Sequence, residues 1–140
     1  MKILVAADGS TATGRMLDYL AAHEEWLALS HQYTVVHCML PVPPRAAVYF
    51  GNKELQSYYS GESEAVFKPV RAFFKRHDIE ATFASHIESP GDAISRLAEE
   101  GKFDLVMMGS HGHGALANLV LGSVATRVLA KCQTPVLIVR

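Results

Sequence analysis

Phe103-Asp104-Leu105-Val106-Met107-Met108-Gly109 is apolar almost without a break. A short run of this kind is expected of a parallel strand buried on both faces, and Gly109 closes it. Directly downstream, Gly109-Ser110-His111-Gly112-His113-Gly114-Ala115-Leu116-Ala117-Asn118-Leu119-Val120-Leu121-Gly122-Ser123 is dense in glycine. Glycines bring backbone N–H groups together, and Ser123 is placed to cap the helix signalled by Leu121, Val124, Ala125, Val128, Leu129 and Cys132. A strand end followed by a helix N-terminus is a place for an anion, because unpaired N–H groups and the helix dipole face the same way. The plainer reading is a flexible, glycine-rich surface loop.

Upstream, the same kind of element recurs. Ser89-Pro90-Gly91-Asp92 opens a short helix whose apolar face is Ala93, Ile94, Leu97 and Ala98, and Gly101 ends it. Ile79 to Ile87 alternates apolar and polar residues, which suggests an edge strand with one wet face. Ala65-Val66, Pro69-Val70 and Phe73-Phe74 recur at helical spacing, so a helix is expected from about Ala65 to His77, kinked or started at Pro69. Pro41, Pro43 and Pro44 end a second strand, Tyr33 to Leu40, and open a long irregular segment through Gly51 and on to Gly61. Ile3 to Ala7 is the first strand, with Asp8 at its carboxyl end, and an amphipathic helix is expected from Thr11 to about Leu29. Thr134-Pro135 releases the chain into a fifth strand, Val136 to Val139.

Five strands alternating with four helices, with no repeat and no linker, predict one domain over residues 1–140, an α/β fold with a doubly wound parallel sheet. Ligands in such sheets bind beyond the carboxyl ends of strands, where strand order reverses. Asp8 follows the first strand and Gly109 to Gly114 follow the fourth. A strand order of 3-2-1-4-5 makes these two strands neighbours astride the switch point, so that both features face one crevice.

With 140 residues, 49% of them hydrophobic, the chain can build one real core. Thirteen basic and fourteen acidic residues give a net charge of −1 without runs, which does not favour nucleic acid. No stretch reaches membrane-spanning length, and Ile3 to Ala7 is too short for a signal peptide, so a cytoplasmic protein is expected. Cys38 and Cys132 are far apart in apolar surroundings and read as reduced, buried thiols.

Gly109-x2-Gly112-x9-Gly122-Ser123 resembles the nucleotide-binding pattern of the universal stress protein family, in its ATP-binding branch. Lys2 to Ser10, Ser89 to Ile94, Asp104 to Gly112, Leu121 to Val124 and Thr134 to Arg140 are similar to family segments as well, leaving only about Pro41 to Gly61 uninformative. The resemblance implies a Rossmann-like fold and a site for ATP, ADP or AMP. Asp8 would hold the ribose or adenosine end, with Ala7 and Cys38 contributing backbone or apolar contact to adenine. Gly109 would let the strand end approach the ribose, while Gly112, His113, Gly122, Ser123 and Val124 would wrap the phosphates. Backbone N–H groups of 112 to 114 and 122 to 124 and the Ser123 hydroxyl are suitable donors. A divalent cation such as Mg2+, bridging the phosphates, would keep most of its waters, since the loop supplies no carboxylate.

Departures from the family pattern are instructive. Many members carry a basic residue where His113 stands, and a histidine there would weaken triphosphate binding or make it depend on pH. Glu88 replaces a frequent glycine, and Arg76-His77-Asp78 lacks the usual one. His111-x-His113 alone does not make a zinc site, which needs at least a third ligand. Asp8 is either a helix cap or a ribose hook. Ser10 to Gly14 superficially looks like a flavodoxin phosphate loop but has the wrong spacing and lies in the helical stretch. A response-regulator reading lacks an aspartate at the end of the middle strand. His37 reads as a core or rim histidine.

The expected function is that of a cytoplasmic stress-response module that senses an adenine nucleotide. No general base, carboxylate pair or arginine finger stands near the loop, so catalysis would be at most a slow ATPase. The alternatives are a slow ATPase or nucleotide-transfer enzyme using the same crevice, and a nucleotide-independent dimeric interaction protein. A homodimer through Val136 to Val139 would cover an apolar sheet edge, as the resemblance also implies.

Overall fold

The computed structural model describes residues 1–28, 30–113 and 120–140. In chain order the elements are β1 (Lys2–Ala6), α1 (Thr11–Ala22), β2 (Gln32–Met39), α2 (Pro44–Ala47), α3 (Asn52–Arg76), β3 (Ala81–Ile87), α4 (Pro90–Glu100), β4 (Leu105–Gly109), α5 (Ser123–Lys131) and β5 (Val136–Val139). All five strands are parallel and lie in the order β3-β2-β1-β4-β5. β1 is central, with Ile3 paired to Tyr33 on one side and to Leu105 on the other. Its Ile3, Leu4 and Val5 are fully buried, as are Val106 and Met107 of β4. β3 stands at an edge, where its alternation of half-buried and exposed residues belongs.

Helices cover both faces and divide the core in two. Met16 and Leu20 of α1 pack with Val66, Val70 and Phe74 of α3 on one face. Ile94 and Ala98 of α4 pack with Ala125 and Val128 of α5 on the other. The chain therefore leaves β1 toward one face and β4 toward the opposite face, opening the crevice of a Rossmann-like sheet between their carboxyl ends.

Several local expectations are corrected. α1 stops at Ala22 instead of continuing to about Leu29, which lies outside the described residues. His23 ends it: its backbone leaves the helical region and its Nδ1–H donates to the Tyr19 carbonyl at 2.8 Å, after which Glu24–Leu27 forms a single 3-10 turn. The segment expected to be irregular is largely helical, because α2 begins on Pro44 and α3 begins at Asn52 rather than near Ala65. The first turns of α3 carry no apolar stripe; between Asn52 and Glu62 only Leu55 and Tyr59 are even half-buried. Pro69 sits inside α3 without ending it, on an exposed face where water can reach the carbonyl it leaves unbonded.

Candidate functional site

β1 delivers Ala7 and Asp8 to the rim of the sheet. Ala7 is buried, with its N–H on the Val36 carbonyl at 2.9 Å and its own carbonyl receiving Nδ1–H of His37 at 2.9 Å. His37, itself buried against Phe67, is thus a rim histidine with a structural bond. Asp8 then turns the chain into α1. Its Oδ1 accepts the Ser10 N–H and the Thr13 hydroxyl, both at 2.9 Å, while the Asp8 N–H lies 3.1 Å from the Thr13 oxygen. Half-burial opposes ionisation of this carboxyl, but hydrogen bonds from Ser10 and Thr13 outweigh it, helped by the field of His113, and hold its pKa below the ordinary value. Gly9 carries φ +74°, a conformation glycine adopts freely, with Val66 of α3 packed beside it.

β4 delivers the glycines. Gly109 ends the strand directly beneath α1, where an added Cβ would stand 2.5 Å from the Ala12 Cβ. The closeness Gly109 permits is therefore with a helix of the protein itself. Ser110 is buried, donates its N–H to the Val139 carbonyl at 2.8 Å and accepts the Gly122 N–H on its own carbonyl at 2.7 Å. That last bond joins the strand end to the start of α5, two halves of the glycine pattern that the sequence separates. Gly122 lies so close that a Cβ there would be 3.2 Å from both the His111 Cα and the Ser110 carbonyl oxygen. Gly122, not Ser123, is the N-cap of α5, and a side chain there would have to push the facing backbone back by a few tenths of an ångström. Ser123 is the first helical residue and exposed; Val124 is half-buried and packs toward the α4 and α5 core.

The two strand ends meet through Gly112 and His113. A Cβ on Gly112 would lie 2.6 Å from Asp8 Oδ2, so the second carboxylate oxygen faces the bare α-carbon. The His113 Nε2 is 2.7 Å from the Asp8 carbonyl, and the Ser10 hydroxyl reaches the His111 carbonyl at 3.4 Å. Residues 110–113 thus run between the N-termini of α1 and α5. Neither helix has an acidic residue in its first turn, which leaves the positive dipole ends uncompensated by their own side chains. Of the expected donors, the Gly122 N–H is instead committed to the Ser110 carbonyl, and Gly114 lies outside the described residues, as does the stretch to 119.

Cys38 and Cys132, expected to be buried, are both half-buried free thiols. Cys38 stands one strand away, among residues of the α4 and α5 face, and its partial burial, with a contribution from Glu88, pushes its thiol up to about 12. Among the described residues no group of three His, Cys, Asp or Glu side chains is placed to hold a metal ion. A cavity of about 750 Å³ lies at the opposite, amino-terminal ends of β2 and β3, lined by His31, Gln32, Thr34, Asp78 and Glu80 among others, and shares no residue with this rim. Thr13 and Ser110 were the site residues the sequence reading passed over. The only available signal was their position, one turn into α1 and one residue past the β4 glycine.

Comparison with known proteins adds the relationship. The universal stress protein family model matches residues 1–140. A universal stress protein of Thermus aquaticus is 32% identical over 139 residues, covering 99% of this chain and 97% of the relative. One of Synechocystis is 32% identical over 142 residues and also covers 99% of this chain, which spans only 42% of that longer relative. Among solved structures, that of the hypothetical protein MJ0577, a Methanocaldococcus jannaschii universal stress protein, has a TM-score of 0.80 at 25% identity, covering 99% and 94% of the two chains. A universal stress protein in complex with cAMP superposes with a TM-score of 0.67 at 24% identity over 100% and 96% of the chains, and shows the shared fold. Among the described residues, no helix is long and apolar enough to cross a membrane.

Proposed function

The chain belongs to the universal stress protein family, and from that premise we propose that it binds an adenine nucleotide in the crevice between the ends of β1 and β4 and acts as a nucleotide-sensing module. The observation that carries this is the meeting of the two halves of the glycine pattern, with Gly122 N–H on the Ser110 carbonyl at 2.7 Å and Gly112 bare against Asp8 Oδ2. These glycines let the end of β4 and the start of α5 close on one another and on Asp8, which gathers backbone N–H groups ahead of a helix N-terminus, a setting that suits a phosphate. In this reading Asp8 takes the ribose end, Ala7 and Cys38 border the base, and Gly109 belongs to the ribose side. Gly112, His113, Gly122, Ser123 and Val124 enclose the phosphates in front of α5. ATP, ADP and AMP all fit this chemistry. A divalent cation would ride on the phosphates with most of its water retained, since residues 109–113 and 120–124 include no carboxylate. Residues 1–140 act as one such unit in the cytoplasm.

Mass spectrometry of the nucleotide that co-purifies with the protein, and calorimetric titration with ATP, ADP and AMP, test the reading. Gly122→Val is expected to abolish binding while the far-ultraviolet circular dichroism spectrum persists. A protein that carries no adenine nucleotide and binds none, or a Gly122→Val variant with unchanged affinity, would overturn it. The half-buried apolar edge of β5 is also proposed to pair with a second copy; a monomeric mass by light scattering at micromolar concentration would exclude that pairing.

A further inference from the structure

We propose that His113 makes the site discriminate between a nucleotide and a bare nucleoside, and that it does so through the proton on Nδ1. This rests on the nucleotide reading given above. The Nε2 of His113 lies 2.7 Å from the Asp8 carbonyl oxygen. A carbonyl has only lone pairs to offer, so Nε2 must carry the hydrogen, and the neutral ring is held in the tautomer whose Nδ1 bears a lone pair. A lone pair repels a phosphate oxygen. Protonation converts Nδ1 into a donor and leaves the Nε2 bond intact, so the ring turns from a repulsive into an attractive partner without moving.

The surroundings favour this change when an anion is present. From the end of β1 the charged group is the Asp8 carboxyl, whose own pKa the field of His113 helps to lower. From its own segment His111 stands two residues away, with Nδ1 bonded to the Ser110 hydroxyl at 2.9 Å. From α1 the neighbours are the neutral Ser10 and Thr13, and α3 presents the apolar Val66 beside Gly9. α5 directs its positive end toward the same rim with no acidic residue in its first turn. Imidazolium and helix end repel one another unless a negative group lies between them. A phosphate is such a group, and a ribose alone is not.

The test is calorimetric titration of the whole protein with ATP, AMP and adenosine at about pH 8 and about pH 6, a range across which imidazoles change charge. Wild type is compared with His113→Gln, which can keep the bond to the Asp8 carbonyl but cannot titrate. The last proton of the nucleotide phosphate titrates in the same range and cancels in the comparison. Relative to His113→Gln, wild-type affinity for ATP and AMP is expected to rise about tenfold on going to the lower pH, the size of one charge-assisted hydrogen bond. Affinity for adenosine is expected to stay the same. Nitrogen NMR of the ligand-free protein at the higher pH should find His113 protonated on Nε2. Binding of nucleotides with the same pH dependence in both proteins, an equal effect on adenosine, or a ring protonated on Nδ1 alone would overturn this proposal and leave nucleotide binding standing. Binding of none of the three ligands at either pH would overturn both.

Discussion

Gly109→Ala should destabilise the protein by an amount set by its contact with α1. The added Cβ would stand 2.5 Å from the Ala12 Cβ, 3.1 Å from its carbonyl carbon and 3.2 Å from its oxygen. Carbon atoms not bonded to one another rest at about 3.5–4.0 Å, so the first turn of α1 must retreat by about 1 Å. Neither partner can rotate away, because one is a strand backbone and the other a buried alanine on a helix. Overpacking of this kind costs about 1–3 kcal/mol, offset by about 0.4–1 kcal/mol from the stiffer unfolded chain. The net loss of about 1–2 kcal/mol corresponds, for a chain of 140 residues, to a fall in Tm of about 3–6 °C. Gly14→Ala is the matched control: it lies exposed in the same helix with nothing within 4 Å of the new Cβ, and should raise stability by about 0.5–1 kcal/mol. Thermal unfolding followed by circular dichroism measures both. Adding Ala12→Gly to Gly109→Ala removes the 2.5 Å contact and leaves only the milder ones with the backbone of residue 12, so the double variant should lose less than the sum of the singles by about 1 kcal/mol. An unchanged or raised Tm for Gly109→Ala would refute the packing role, and a loss of nucleotide affinity at unchanged Tm would assign this glycine to the ligand instead.

Two further outcomes follow from particular bonds. The Asp8 carboxyl titrates below its ordinary value of 3.8 in the folded state, so its contribution is present above that pH and lost as pH falls through the folded-state value. Asp8→Asn should therefore cost about 1 kcal/mol at neutral pH, with the gap to wild type in urea midpoints closing in acid; a gap that persists unchanged there would show that the charge is irrelevant. With its thiol pushed up to about 12 by burial, Cys38 should hold almost no thiolate at neutral pH. In a Cys132→Ser background it should react with an aromatic disulfide at least about a hundredfold more slowly than free cysteine until denaturant is added, and reaction at the free rate would contradict its placement.

Much of the fold was legible because each signal was local and strong. The apolar runs of Ile3 to Ala7 and Leu105 to Met108 fixed two buried strands, and the chemistry at their ends, Asp8 and the glycines, fixed them as neighbours. The N-terminal half of α3 was invisible because a helix that buries no stripe leaves no period, and the nearby prolines point to an irregular segment. The role of Gly122 as N-cap was hidden behind Ser123, a better capping residue by type. Its true reason, contact with the backbone of Ser110 and His111, is made across the fold and has no trace in adjacent sequence. The hold of His113 on the Asp8 carbonyl spans 105 residues and is equally unreadable from spacing.

The central place of β1 has a consequence for how the chain is made. Its partner β4 lies about a hundred residues downstream, so a growing polypeptide that has completed β3 already possesses β1, β2 and their helices but offers one whole side of β1 unpaired. An apolar edge of that kind invites wrong pairing for as long as synthesis takes to deliver Leu105 to Gly109. Only then do Gly112 and His113 reach Asp8, so the crevice is among the last features to form, and chains truncated before β4 should be prone to aggregate rather than to bind anything.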